Sequence, residues 1–200
     1  MNLTQLMSAL DRKTGMAMDA SAKVEWINEA IQAISTERDW PWLDGLDSFN
    51  TADGTASYDN PSDWMRTRLI TVAGAPAQRI DIADGDAYSV AFDDWRSYYH
   101  YALEGNDITF YPTPTAVLAV KHRYVKQEPM LDDGTDTPLM PSQYHQAIVS
   151  YAAARVMERM SDPRAQTFDS EYERWKKRML DATARGQQPT RVRVRAGGGL

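Results

Sequence analysis

Apolar residues recur at intervals of three and four in four separate stretches, the spacing that lines one face of a helix. Leu3, Leu6, Met7 and Leu10 form the first stripe, which Thr14-Gly15 ends. Val24, Ile27, Ile31 and Ile34 form the second, in a helix predicted from Ala20 to about Arg38. Asp19 and Ser21 are its candidate N-caps. Pro41 cannot continue this helix, and it pushes Trp40 out of the helical region. Pro141-Ser142 opens a third helix, running to about Met160, whose small apolar middle (147–154) suits close packing by neighbours. The fourth, from about Pro163 to Arg185, carries Phe168, Tyr172, Trp175 and Met179 on one face. Glu173, Arg174, Lys177 and Arg178 occupy its other face, and Gly186 ends it.

Between Asp44 and about Gln127 the pattern changes. Turn signals crowd in at Asp44-Gly45, Asp53-Gly54, Asn60-Pro61, Gly74, Asp84-Gly85, Gly105-Asn106 and Pro112-Thr113-Pro114. Short β-prone runs lie between them: 67–72, 78–82, 98–103, 107–111 and 117–126. In the last, Val120, His122 and Tyr124 alternate with Lys121 and Arg123, and 89–96 reads as one short helix. Past Gly186 the helical period is lost. Thr190, Arg191, Val192, Arg193, Val194 and Arg195 alternate basic and apolar at the period of a strand, and 196–200 reads as a flexible end.

This order predicts an α+β fold: an antiparallel bundle of about four helices, with a small antiparallel β module inserted between the second and third. Each apolar stripe needs cover, so distant helices must pack on one another. The expected boundaries are 1–45 for the first bundle helices, 46–137 for the β module and 138–186 for the last helices. An extended basic tail, 187–200, completes the chain.

Charge divides unevenly along this plan. Residues 1–150 hold 11 Lys and Arg against 22 Asp and Glu, a net −11. Residues 151–200 hold 11 against 6, a net +5. An acidic body with a basic final quarter points to a charged partner, or to copies meeting head to tail. It argues against a general nucleic-acid binder, whose folded part should be basic. At 200 residues the chain can bury a core without staples. It has no cysteine, which removes disulfides, thiolate nucleophiles and zinc–thiolate sites. No apolar run approaches the ~20 residues of a membrane span. Met1-Asn2-Leu3-Thr4-Gln5 lacks the start of a signal peptide.

Catalytic marks are missing. His100, His122 and His145 show no helical ligand spacing, and no metal or cofactor site is expected. The chain has no phosphate-binding glycine loop and no nucleophile elbow. Asp132-Asp133-Gly134-Thr135-Asp136 lacks the calcium-loop order and reads as a solvated loop. Asp93-Asp94 and Glu171/Glu173 are carboxylate pairs that 28 acids produce by chance. Six Trp and ten Tyr stand out more. Trp40 and Trp42 are read as core, whereas Trp95, Tyr98, Tyr99 and Tyr101 suit core, protein interface or sugar platform equally.

Four stretches together resemble the head-to-tail adaptor (connector) proteins of tailed bacteriophages. They are 26–34 followed by Arg38-Asp39-Trp40-Pro41-Trp42-Leu43, then 58–66 around Pro61-Ser62-Asp63-Trp64, then Ile108-Thr109-Phe110-Tyr111-Pro112-Thr113-Pro114 with the strand ending in Tyr124, and Leu139-Met140-Pro141-Ser142-Gln143-Tyr144-His145. They span roughly 20–185, leaving the first helix and the tail outside. The resemblance implies a structural virion protein at the neck, assembled in the host cytoplasm, with no catalytic residues. It implies a ring, commonly of twelve copies, docked beneath the portal protein, extending the DNA channel and offering a platform to a tail or nozzle protein. Genomic DNA would pass through without sequence-specific binding. In such proteins the C-terminal segment often reaches the portal, which would suit Thr190–Arg195 as an added strand.

Three other readings compete. One is another tail component, such as a tail tubular or tail completion protein. Another is a virion-associated peptidoglycan or polysaccharide hydrolase, which needs two carboxylates across a cleft. The third is a carbohydrate-binding module built on the Trp95–Tyr101 aromatics.

Overall fold

The computed structural model describes residues 1–85 and 99–186. The chain divides into two compact units. One comprises Met1–Ile34 and the chain from Leu131 onward; the other comprises Ser35–Met130.

The first unit is helical. Helix α1 (Leu3–Thr14) opens with a capping box, in which Asn2 Oδ1 accepts the Gln5 N–H and Gln5 Oε1 accepts that of Asn2. It closes on Gly15, whose φ of 69° suits glycine. The others are α2 (Ala20–Thr36), α3 (His145–Arg159) and α4 (Ala165–Gly186). Helix α3 packs against both α1 and α4. Its Ala147, Ala152, Ala153 and Ala154 are buried, as close helix approach requires. All three predicted isoleucines of α2 are buried, as are Phe168, Tyr172 and Met179 of α4. Polar contacts bind the same helices. Lys13 of α1 pairs with Glu171 of α4 and donates to Ser150 of α3, while Arg155 of α3 meets Asp169 of α4 at 2.6 Å. Lys23 of α2 reaches Asp11 of α1 at 2.8 Å.

The second unit is a pair of sheets. Strands β1 (Asp44–Asn50), β3 (Trp64–Val72), β4 (Ala75–Pro76) and β8 (Ala119–Lys126) form one, in the order β1-β8-β3-β4. Strands β2 (Ser57–Asp59), β5 (Gln78–Arg79), β6 (His100–Glu104) and β7 (Asp107–Tyr111) form the other, ordered β2-β7-β6-β5. Only the β5–β6 pairing is parallel among the described strands. Ile70, Val72 and Val120 of the first sheet share one core with Tyr101, Ile108 and Phe110 of the second. The inner faces of the two sheets therefore bury each other, and their outer faces point away from that core.

A four-helix bundle with a small antiparallel β module is thus not the fold. Two four-stranded sheets, one mixed, make a β unit with its own core. A further helical turn lies at 82–85. The strand content was hidden where the local composition is that of turns. Strand β1 reads Asp-Gly-Leu-Asp-Ser-Phe-Asn, and pairing along its whole length with β8 overrides that propensity. The short helix predicted over 89–96 lies outside the described residues.

Candidate functional site

The predicted tail segment, Thr190, Arg191, Val192, Arg193, Val194 and Arg195, lies outside the described residues, as do Trp95, Tyr98 and Asp93-Asp94. Of the aromatic cluster, Tyr101 is buried in the sheet core and Tyr99 packs edge-on to Phe110 at 6.3 Å. Burial pushes the Tyr101 phenol above its usual range. Neither ring offers a flat exposed platform. Trp40 is fully buried, as read from the sequence, and stacks at 4.7 Å on Trp42, which is half-buried rather than core.

The histidines sit apart. His145 is buried at the head of α3, with Nε2 at 2.8 Å from the Met140 carbonyl and Nδ1 bonded to the Met1 amine. His122 is buried in β8, with Nε2 at 2.9 Å from Thr67 Oγ1. His100 lies in β6. Among the described residues no group of three or more acidic, histidine or cysteine side chains could hold a metal ion. Glu171 and Glu173 are turned to Lys13 and Lys176 rather than across a cleft. No helix among the described residues is long and apolar enough to cross a membrane.

The acidic loop 132–136 has a structural task that sequence reading missed. Asp136 accepts the Asp132 and Asp133 amides at 2.9 and 2.8 Å, and Asp133 accepts from Thr135 N–H and Oγ1 at 2.8 and 2.7 Å. Those Thr135 bonds hold the Asp133 carboxyl below its usual range. So folded, the loop points the Asp136 and Gly134 carbonyls at the Leu3 and Thr4 amides, satisfying donors that an open helix N-terminus leaves over.

The outer faces of the two sheets carry opposite charge. Across the first sheet, Leu46 of β1, Arg123 of β8 and Leu69 of β3 stand side by side, with Ser48, Lys121 and Thr71 in the next row. Leu46 and Leu69 are 55% and 40% exposed. Arg66 and Arg68 lie along the same sheet, but Asp39 and Asp44 pair with them. Arg123 and Lys121 have no ion pair among the described residues. Across the second sheet, Asp59 of β2, Asp107 of β7 and Glu104 of β6 stand in one row, directly opposite one another. Like charges so placed repel, so this row costs stability in the isolated unit. Only strand pairing assembles it, because residues 59 and 107 are far apart in the chain. Gly85 lies against the Tyr111 ring at the other end of this face.

The sequence matches the SU10 adaptor protein family over residues 1–195. The chain belongs to that family. This bears out the resemblance to phage head-to-tail adaptors and widens it. The match takes in α1 and the segment Thr190–Arg195, both outside the four stretches read from the sequence. The SU10 adaptor family is structural rather than enzymatic, and its members are virion components that associate with portal and tail proteins. Among curated proteins, none matches the chain.

Proposed function

We propose that this adaptor forms a ring, of about twelve copies as is common in such adaptors, beneath the portal of a tailed phage. The ring extends the DNA channel at the neck and presents a platform to the tail or nozzle protein. Membership of the SU10 adaptor family across 195 residues carries this reading. The acidic body, net −11 over residues 1–150, suits a channel wall that repels DNA phosphates and lets the genome slide. The segment Thr190–Arg195 serves as the portal contact, a strand added to an exposed sheet edge with alternate side chains in pockets. The family match extends to its last arginine, which supports that role.

The test is the mass, by light scattering, of the complex formed with the matching portal protein, beside each component alone. A stoichiometric ring on the portal is expected. No association at near-physiological salt would overturn the reading. Deleting 187–200 should leave the circular dichroism spectrum of the folded part intact and weaken portal binding; unchanged binding would refute the tail's role.

A further inference from the structure

We propose that the outer face of the β1-β8-β3 sheet docks on the acidic row Asp59, Asp107 and Glu104, at the turn end of the β2-β7-β6 sheet, of a second copy. This deepens the ring reading and rests on it, because it names the two surfaces through which neighbours meet. The argument is charge complementarity across one unit. One outer face presents Arg123 between the exposed Leu46 and Leu69, and Lys121 between Ser48 and Thr71 in the next row, both cations unpaired among the described residues. The other presents Asp59, Asp107 and Glu104 in a single row over three adjacent strands. Tyr111, the register partner of His100 further along β7, donates to one Glu104 oxygen at 3.1 Å, and no cation pairs with the three carboxylates among the described residues.

Each face is costly alone. Three carboxylates in register repel, and two large leucines beside a bare guanidinium leave apolar area in water. Bringing the faces together relieves both: the cations neutralise the acidic row, and the leucines cover and are covered by a neighbour. On the second face the acidic row alone makes the contact, because Ala102 and Thr109 in the next row are buried within the chain. That row and the first sheet's outer face lie on opposite sides of a shared core, so each copy can accept one neighbour and offer itself to another. That is a heterologous contact, which closes into a ring when the rotation per copy permits. The backbone edges are not needed, because side chains of the sheet faces make the contact.

Charge exchange tests this. One variant carries Lys121→Glu and Arg123→Glu, making both faces acidic. The other carries Asp59→Lys and Asp107→Lys, making both faces basic. Every substituted side chain is exposed or half-buried, and circular dichroism checks that each variant folds. The readout is light-scattering mass, at low salt and again with the matching portal. The unaltered chain should assemble, each variant alone should lose assembly at least tenfold, and an equal mixture should regain it. Variants that assemble alone, or a mixture that stays apart while the unaltered chain makes its ring, would overturn the docking faces and leave the ring standing. An unaltered chain that never self-associates, even on the portal, would overturn both.

Discussion

The Asn28 carboxamide holds both backbone groups of Leu131: Nδ2 donates to the carbonyl at 3.0 Å, and Oδ1 accepts the N–H at 2.9 Å. Both residues are buried, and they are 103 positions apart. Leu131 is where the chain rejoins the helical unit after the whole β unit. One side chain of α2 thus does the work of a strand neighbour at the point of return, with no sheet there to supply it.

Asn28→Ala should therefore be far more damaging than a surface change. It strands a buried donor and a buried acceptor and should cost about 2–4 kcal/mol. Urea unfolding followed by circular dichroism checks this. Asn28→Asp should also destabilise, because it loses the donor and buries a charge. A cost below about 0.5 kcal/mol for either variant would show that water or another group takes over Leu131.

Gly45 and Tyr124 are register partners on β1 and β8, and the ring lies over the glycine. A Cβ at Gly45 would come within 2.5 Å of the ring. The ring is itself anchored, since its hydroxyl donates to Asp63 at 2.7 Å. Burial, and then that bond, hold the phenol protonated well above its usual range. Gly45→Ala should cost about 1–3 kcal/mol by overpacking. In a Tyr124→Leu background the same change should cost less by at least about 1 kcal/mol, and a double-mutant cycle in urea measures the difference. Additive costs would mean that the ring is not the obstacle.

Helix positions were legible because the stripes at 3–10, 24–34 and 168–179 meet real neighbours at the same period. The sheets were legible only where β-branched and aromatic residues alternate, as in β8. Strand β2 is three residues, Ser-Tyr-Asp, with no period to read. The Asp59–Asp107–Glu104 row was invisible for a deeper reason: three acids at scattered positions carry no pattern until β2, β7 and β6 pair. Loop 132–136 misled in the same way, since its use is to cap a helix more than a hundred residues earlier.

His122 sets a pH dependence. Its Nε2 shares Thr67 Oγ1 with the Trp64 indole, while its buried Nδ1 has no partner. Burial lowers its pKa below 6.5, and Asp47 opposes that shift. Tyr124, 5.2 Å away between ring centres, is the other titratable neighbour. The unfolded imidazole takes a proton near pH 6.5 and the native one resists it, so unfolding gains protons as pH falls. The stability from neutral His122 is complete above about 6.5 and is lost below it, with a slope of at most about 1.4 kcal/mol per pH unit. His145, also buried with a lowered pKa, adds a loss of the same sign. Urea midpoints between pH 5 and 8 should fall on the acid side, less steeply in His122→Asn. An unchanged slope in that variant would clear His122 of the role.

The hairpin joining β3 to β4 turns on Ala73-Gly74, with φ of 51° and 85°. Two consecutive positive φ values suit the two-residue turn whose twist matches the flanking strands. Glycine adopts the second at no steric cost, but alanine at the first bears a clash between its Cβ and the carbonyl, worth about 1–2 kcal/mol. Asparagine tolerates that region, and Asn-Gly is the preferred pair for such a turn. Ala73 is exposed and its N–H donates to the Ala119 carbonyl at 2.8 Å, a bond that any residue but proline keeps. Ala73→Asn should therefore stabilise the β unit by about 0.5–1 kcal/mol. Ala73→Pro should destabilise it by more than that, because proline cannot take a positive φ and loses the bond. Thermal melts of the two variants beside the parent decide it: a midpoint for Ala73→Asn at or below the parent's would mean that the turn stores no strain at this position.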